Sequence, residues 1–260
     1  MITTRSYPGT QAVARAVSLL KAFSDARRGW RLTDLARAAH LHKATAHRLL
    51  AALEREGMVT RDPAGEHYRL GPEAIALGAR AARASDLRAI VGPELDALAT
   101  SSGETATLEL PVGDSMLILH EVPGRGLLGA VREIGTRWPL HATSTGKALL
   151  ALLPDTTRRD LVGTRLRRHT SRTIISASAL DRELDRIRRR GYAVAAEELE
   201  RGYVAVGAAV QDSAGRPVAA ISLGGPRVRF PATRIALLGR QVRAAAERIS
   251  QALGYRGTPC

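Results

Sequence analysis

The 260-residue sequence predicts an α+β protein in two parts: a small helical domain that ends in a two-stranded hairpin, and a larger domain with a mainly antiparallel sheet. Three observations predict it. Apolar residues recur with the 3.6-residue period of helices up to about residue 57. A hairpin pattern follows, and the apolar period then changes to two from residue 105. Beyond that point strands and helices come in separate groups, which favours an α+β domain.

Three helices are predicted in the first domain. The apolar stripe of the first, over residues 10–25, consists of Val13, Ala16, Val17, Leu20 and Phe23. The inward residues of the second, over 32–40, are Leu32, Leu35, Ala36 and Ala39. The third ends at Gly57, and its stripe is Ala46, Leu49, Leu50 and Leu53. His40 occupies a turn position where helix-turn-helix proteins often carry glycine, which predicts an irregular turn there.

A hairpin is predicted directly after the third helix. Residues 59–61 form the first strand, residues 62–65 have the composition of a turn, and residues 67–70 form the return strand. Three short helices followed by a two-stranded hairpin are typical of a winged helix-turn-helix domain.

The outward face of the third helix is basic and hydroxylic. In a winged helix-turn-helix domain this helix enters the major groove of DNA. The predicted DNA-binding residues are therefore Lys43, Thr45, His47 and Arg48 on the helix, with Arg61 and Arg69 on the wing. The alternative is an ordinary solvated basic face on a small helical domain.

The charge balance agrees with a nucleic-acid partner. Lys and Arg number 39 against 25 Asp and Glu, a formal charge of +14, and residues 1–80 alone carry 13 basic and 7 acidic side chains. A high arginine content can also reflect genome composition. The single cysteine, Cys260, excludes a disulfide framework and a zinc site built from cysteines. No cofactor or metal is predicted. The chain has no apolar run of about 20 residues and no signal-peptide pattern, so a cytoplasmic location is expected.

The remaining elements complete the domain plan. A helical linker is predicted over 72–85 and a helix containing Pro93 over 86–101. Strands are expected at 105–111, 115–123, 127–134, 192–195, 204–211 and 216–224, and a loop at 136–144. Helices are expected near 147–153, 155–162, 179–190 and 231–253. The predicted domains are a DNA-binding domain at 9–71, the linker at 72–85, and an α+β domain at 86–253.

Several blocks closely resemble the IclR family of bacterial transcriptional regulators. In the first domain the landmark is Thr45, Arg48-Leu49-Leu50, Gly57 and then Tyr68-Arg69-Leu70-Gly71. In the second, residues 138–154, 190–212 and 215–226 are similar to the blocks of the family's effector domain. The motifs are specific in combination, and the likeness covers roughly residues 9–253.

The resemblance implies a homodimer or homotetramer whose winged domains bind a double-stranded, palindromic operator. It also implies that residues 86–253 form a GAF-like effector-binding and oligomerisation domain, which binds a small metabolite. It implies that the effector contacts the backbone amides of Ser144 and Thr145. The family's Asp, Cys and two Ser fall on Ala195, Ala205, Ser222 and Gly224. Its apolar wall falls on Leu127, Ala130 and Trp138.

Three of those four polar side chains are absent here, and the Ala and Gly in their place leave room. A site without those groups should reject a small polar acid, because the ligand's polar atoms would stay unpaired. We therefore expect a bulkier, less polar effector, such as an aromatic acid, acting on a regulator that is more often a repressor.

Two other classes stay open at this point. The first is an enzyme with a DNA-targeting domain, but no nucleophile, base and orienting group can be assembled; Ala148 follows Lys147 where a phosphate-binding loop needs Ser or Thr. The second is a constitutive DNA-binding protein without a ligand. The acidic run Glu197-Glu198-x-Glu200 is interpreted as a solvated segment.

Overall fold

The computed structural model describes residues 10–23, 29–62, 66–83, 86–125, 134–163 and 165–256. The chain divides into two compact units, residues 1–85 and residues 86–260. Among the described residues, none of the helices combines the length and the apolar character that a membrane span requires.

The first unit contains three helices, a two-stranded sheet and a fourth helix. The helices are α1 (Gln11–Ala22), α2 (Leu32–Ala38), α3 (Lys43–Arg55) and α4 (Pro72–Arg83). The antiparallel strands are β1 (Val59–Arg61) and β2 (Tyr68–Leu70). This order confirms the predicted helix-turn-helix and wing. The wing turn at residues 63–65 lies outside the described residues.

The core of this unit corrects the predicted face of α1. Val13 and Val17 are 65% and 41% exposed, whereas Leu19, which was not in the predicted stripe, is fully buried. Leu19 packs with Leu35 of α2 and Leu50 of α3. Only the C-terminal half of α1 lies against these helices, so the apolar residues of its first turns find no partner in this core.

The turn between α2 and α3 is tight. His40 has a φ of 53°, in the left-handed region where glycine is favoured. The N–H of Leu41 donates to the carbonyl of Ala36 (2.8 Å), which satisfies an end group of α2. The irregularity predicted at His40 is therefore confirmed.

The second unit is a six-stranded sheet covered by helices on both faces. Its helices are α5 (Asp86–Ser102), α6 (Ser144–Leu152), α7 (Asp155–Val162), α8 (Ala177–Arg190) and α9 (Ala232–Ala252). Its strands are β3 (Thr105–Val112), β4 (Ser115–Val122), β5 (Arg137–Pro139), β6 (Ala193–Ala196), β7 (Tyr203–Gln211) and β8 (Pro217–Pro226). The sheet order is β5-β4-β3-β8-β7-β6, with every neighbouring pair antiparallel.

Alternation along the strands assigns each residue to one face. Leu108, Val206 and Ile221 pack in the cluster that contains α5 and α9. Ala220 belongs to the cluster that contains α6 and α8. The alternate positions of β3, β7 and β8 therefore point towards α6, and that face carries the cavity described below. The antiparallel α+β prediction is confirmed.

Residues 136–144 differ from the predicted loop. They contain β5, which pairs with β4 through Ser115 and Pro139, a 3-10 turn at Leu140–Ala142, and the start of α6. A proline is tolerated here because β5 is an edge strand. The strand predicted at 127–134 lies outside the described residues except for Ile134, which is in a turn.

Candidate functional sites

Helix α3 separates an apolar face from a cationic one. Ala46 and Leu50 are buried in the core of the first unit. On the other side Lys43, His47 and Arg48 are exposed, and Thr45 is half-buried. None of the three exposed side chains forms an ion pair with another described residue. Their charge and donors are therefore available to an external partner.

The start of α3 adds further donors. The helix begins after His42, whose side chain makes no capping hydrogen bond. The first backbone N–H groups of a helix have no partner within it and carry a partial positive charge. With Lys43 at the first position, this end of α3 is suited to an anion such as a phosphate.

The wing is held against the helices by backbone hydrogen bonds. Trp30 and Tyr68 exchange N–H···O bonds of 3.0 and 2.8 Å, so the segment before α2 pairs with β2. Gly71 lies so close to the end of α3 that an added Cβ would stand 2.2 Å from the carbonyl oxygen of Gly57. These contacts fix the hairpin relative to the basic face of α3.

The side chains of the wing fall into two groups. Arg61 lies within 3.1 Å of the Glu54 carboxylate and 5.0 Å from the centre of the Tyr68 ring, so its charge is already used inside the unit. Arg69 is exposed and forms no ion pair with another described residue. At the turn, the backbone N–H of His67 donates to Asp62, which holds the pKa of that carboxyl below its ordinary value.

The second unit has a small cavity between the sheet and the N-terminus of α6, with a volume of about 30 Å³. Its described lining consists of Thr107, Glu109, Trp138, Ala142, Thr143, Ser144, Thr145, Ala195, Glu198, Leu199, Glu200, Tyr203, Ala205 and Ser222. Gly207 lets β7 approach the helix, because an added Cβ would lie 3.0 Å from the Ser144 hydroxyl. The hydroxyl of Thr143 accepts from the N–H of Gly146 (3.1 Å). The amides of Ser144 and Thr145 have no partner within the helix.

One wall of the cavity is a chain of buried hydrogen bonds. The Thr107 hydroxyl donates to Glu109 Oε1 (3.1 Å), and the Thr145 hydroxyl donates to Glu109 Oε2 (2.6 Å). Because the single proton of Thr107 is used in this way, the Ser222 hydroxyl donates to Thr107 (2.7 Å). This wall therefore presents oxygen lone pairs to the cavity rather than hydroxyl protons.

A buried ion pair borders the cavity, because Glu198 is one of the lining residues. Lys147 is fully buried and donates to Glu198 Oε1 (2.5 Å) and to the carbonyl of Val194 (2.7 Å). Glu198 is only 8% exposed, so its interpretation as part of a solvated acidic run is wrong. The fold of residues 193–204 turns this side chain inward, onto the lysine. Burial raises the pKa of Glu198 above the ordinary glutamate value, and the Lys147 charge opposes that shift.

Two larger clefts in this unit lack such convergence. One of about 720 Å³ lies between α6, α8, β7 and α9. The other, of about 420 Å³, shares Trp138 and Leu199 with the small cavity and is bordered by three exposed arginines. The small cavity combines a helix N-terminus, a hydrogen-bonded polar wall and a buried carboxylate. These features make it the candidate ligand site.

Comparisons with known proteins decide the family. The chain matches two descriptions: the "IclR helix-turn-helix domain" over residues 12–63 and "Bacterial transcriptional regulator IclR C-terminal" over residues 79–251. The chain belongs to the IclR family. It is therefore a transcriptional regulator and not an enzyme, as the sequence predicted.

Individual relatives agree over nearly the whole chain. The glycerol operon regulatory protein of Streptomyces griseus is 35% identical over 243 residues, covering 92% of this chain and 95% of the relative. The transcriptional repressor AllR of Klebsiella pneumoniae is 32% identical over 249 residues, covering 95% and 92%. An IclR homologue from Microbacterium hydrocarbonoxydans, solved with 4-hydroxybenzoate, superposes with a TM-score of 0.79 at 25% identity, covering 93% and 99%.

Most of the effector-contacting positions implied by the IclR resemblance come together at the cavity. Its lining includes Trp138, Ser144, Thr145, Ala195, Ala205 and Ser222. Leu127 and Ala130 lie outside the described residues. The room expected above Gly224 is taken: a Cβ there would stand 2.2 Å from the Tyr203 hydroxyl. The expectation of a roomier site is thus not met at Gly224.

The IclR-based reasoning missed the acidic side chains of the cavity. Glu109, Glu198 and Glu200 all line it, so losing the family's polar groups at three positions does not make the site apolar. A readable indication was present in β3. Thr105, Thr107 and Glu109 alternate with Ala106 and Leu108, which places one polar row on a strand that is buried on both faces.

Proposed function

We propose that this IclR-family regulator is a repressor that binds a dyad-symmetric operator through α3 and the wing. The observation that carries the proposal is the basic face of α3, where Lys43, His47 and Arg48 are exposed without ion-pair partners among the described residues. Two copies are needed to bind both half-sites, so the active species is a homodimer or a homotetramer. The relative AllR is a transcriptional repressor, which supports repression as the mode of regulation.

The two structural units have different proposed functions. Residues 9–71 bind DNA, residues 72–85 link, and residues 86–253 bind the effector and hold copies together. On the helix, Arg48 contacts a base edge or phosphate, while Lys43 and Thr45 bind phosphate and His47 lies at the same surface. On the wing, Arg69 contacts the backbone of DNA. Arg61, already paired with Glu54, serves chiefly to fix the wing.

The effector binds in the small cavity and changes how the two DNA-binding domains of a dimer fit their half-sites. An organic acid fits the proposal because the amides of Ser144 and Thr145 are suited to a carboxylate. The relative solved with 4-hydroxybenzoate supports an aromatic acid. About 30 Å³ of open space is too small for such a ring, so binding selects a state in which the cavity is wider.

The DNA-binding assignment is tested by Arg48→Ala. Footprinting is first used to find the protected site in the DNA beside the coding region, and the affinity for that site is then measured. Loss of one bidentate contact costs about 1–3 kcal/mol, so we expect binding to weaken by roughly fivefold to 150-fold. Arg55→Ala is the matched control, because Arg55 is exposed on the last turn of the same helix.

The operator affinities of the two variants test the assignment of α3. Weaker operator binding for Arg48→Ala, with Arg55→Ala unchanged, supports α3 as the recognition helix. Equal affinity for both variants and the parent protein contradicts that assignment.

Repeating the footprint with 4-hydroxybenzoate and with small aliphatic acids tests the effector. Protection that no acid alters contradicts the ligand-responsive mechanism and favours a constitutive DNA-binding protein.

A further inference from the structure

The Glu198 carboxylate has one oxygen in use and one without a partner. Oε1 accepts from the buried Lys147 ammonium at 2.5 Å. Oε2 is buried and has no hydrogen-bond partner among the described residues. Glu198 also lines the candidate effector cavity. A buried carboxylate oxygen without a donor is costly, and such groups commonly mark a place where a ligand or water binds.

The position of Glu198 is fixed rather than adaptable. Lys147 is held on α6 and is anchored a second time by the carbonyl of Val194 at 2.7 Å. The segment that carries Glu198 is fastened as well, because the hydroxyl of Thr173 donates to its backbone carbonyl at 2.6 Å. Both ends of the side chain are thus constrained. An acceptor preorganised in this way can bind a donor without first paying for reordering.

The described lining of the cavity contains no Lys, Arg or His. The hydroxyl protons of Thr107 and Thr145 are committed to Glu109. The amides at the N-terminus of α6 are the clearest donors. A ligand that fits must therefore accept at one end and donate at another.

We propose that Glu198 selects the effector by accepting a hydrogen bond from a hydroxyl or amino group on it. The effector is then a hydroxy or amino acid: its carboxylate binds the amides of Ser144 and Thr145, and its donor group binds Glu198 Oε2. This inference rests on the proposed effector site and adds the chemical class of its ligand. The acidic group that the family resemblance would place at Ala195 is absent, and Glu198 supplies a carboxylate to the same cavity.

A simple acid without a donor is disfavoured at this site. It would leave Glu198 Oε2 without a donor, because a simple acid has no N–H or O–H group that could reach this oxygen while its carboxylate binds the helix amides. A hydroxyl or amino group removes that penalty. The proposed specificity therefore depends on the donor more than on the size of the acid.

Matched acids test the proposal on the full-length chain by isothermal titration. The probes are 4-hydroxybenzoate against benzoate, and glycolate against acetate. We expect one hydroxylated acid to bind at least about tenfold more tightly than its unsubstituted partner. In Glu198→Gln that advantage should fall to about threefold or less, because the charged acceptor is gone. Asp160→Asn, on the exposed face of α7, is the control and should keep the advantage.

A second variant guards against misfolding. Glu198→Gln leaves Lys147 buried without a charged partner, so the double variant Lys147→Met/Glu198→Leu removes both charges and the acceptor together. It should also lose the preference for the hydroxylated acid while retaining a cooperative thermal transition.

The outcomes separate this inference from the function on which it rests. The proposed role of Glu198 is contradicted if hydroxylated and unsubstituted acids bind the parent protein equally, or if the preference persists in both Glu198 variants. Neither result contradicts the proposal of an acid-responsive regulator. If no acid of either kind binds or alters operator protection, the organic-acid effector itself is wrong, and this inference falls with it.

Discussion

The basic face of α3 and the wall of the cavity use polar side chains in opposite ways. On α3, Lys43, His47 and Arg48 are exposed and have no ion-pair partner among the described residues. In the cavity, Glu109 and Glu198 are buried and are bonded to neighbours from other elements. The first surface contributes little to folding, because exposed charges in water are only weakly coupled to their surroundings.

The difference predicts how each site responds to mutation. Removing a side chain from the α3 face should change binding and leave stability nearly intact. Removing one from the cavity should change stability as well as binding, because a buried polar atom loses its partner. Substitutions in the two regions can therefore confirm or break this contrast.

The largest expected effect is that of Lys147→Met. It leaves Glu198 buried without its cation, which typically costs about 3–5 kcal/mol. Urea denaturation should show this loss in the free energy of unfolding of the effector domain. Without Lys147 the pKa of Glu198, already raised by burial, rises further above its unfolded value. A carboxyl with a raised pKa favours the folded state at low pH and loses that contribution as pH rises through the folded pKa, so the defect should be smaller at acid pH.

The double variant Lys147→Met/Glu198→Leu is the control for this reading. It removes both charges, and apolar residues of similar volume commonly replace a buried ion pair without loss. Recovery of most of the stability would show that the uncompensated charge causes the defect. A double variant as unstable as Lys147→Met, or a loss that does not change with pH, would contradict that cause.

The two regions also differ in how far sequence reasoning reaches. The α3 face is encoded within 13 consecutive residues. The helical periodicity alone places Ala46 and Leu50 on one side of the helix and Lys43 and Arg48 on the other. The hairpin and the irregular turn at His40 were equally local. The predicted buried face of α1 is wrong in the first turns of the helix. Periodicity identifies an apolar stripe, but it does not show that Val13 lies beyond the helices that could cover it.

The cavity depends on residues that are distant in the chain. Glu198 pairs with Lys147 across 51 positions, and Ser222 meets Thr107 across 115. Neither distance leaves a local pattern, so the sequence of the acidic run indicates a solvated segment and gives no sign that Glu198 is buried. The positions that sequence did place at the cavity, such as Ser144 and Ser222, came from the family resemblance. The polar row of β3 could have been found from its period of two.

A smaller effect is expected at the cavity from Gly224→Ser. The new Cβ would meet the Tyr203 hydroxyl at 2.2 Å, so the ring must move or the strands must part. Overpacking of this kind costs about 1–3 kcal/mol. Thermal unfolding should show the loss, and Tyr203→Val combined with Gly224→Ser should reverse most of it by vacating the space. A double variant that is less stable than Gly224→Ser would mean that Tyr203 contributes more by its own contacts than it obstructs.

The smallest expected effect tests the other region. Lys43→Ala removes one charge from the exposed face of α3, so the free energy of unfolding should change by no more than about 0.5 kcal/mol. Operator affinity should weaken by a similar factor for all sequences, and the slope of log affinity against log salt should fall by about 1, because one phosphate contact is lost. Lys21→Ala, at the exposed end of α1, removes the same charge and should leave the slope unchanged.

An equal change in slope for both lysines would mean that the whole charge of the domain, rather than the face of α3, attracts DNA. A large loss of stability in Lys43→Ala would break the contrast itself, since it would place a folding contribution on a surface that the structure leaves exposed and unpaired among the described residues.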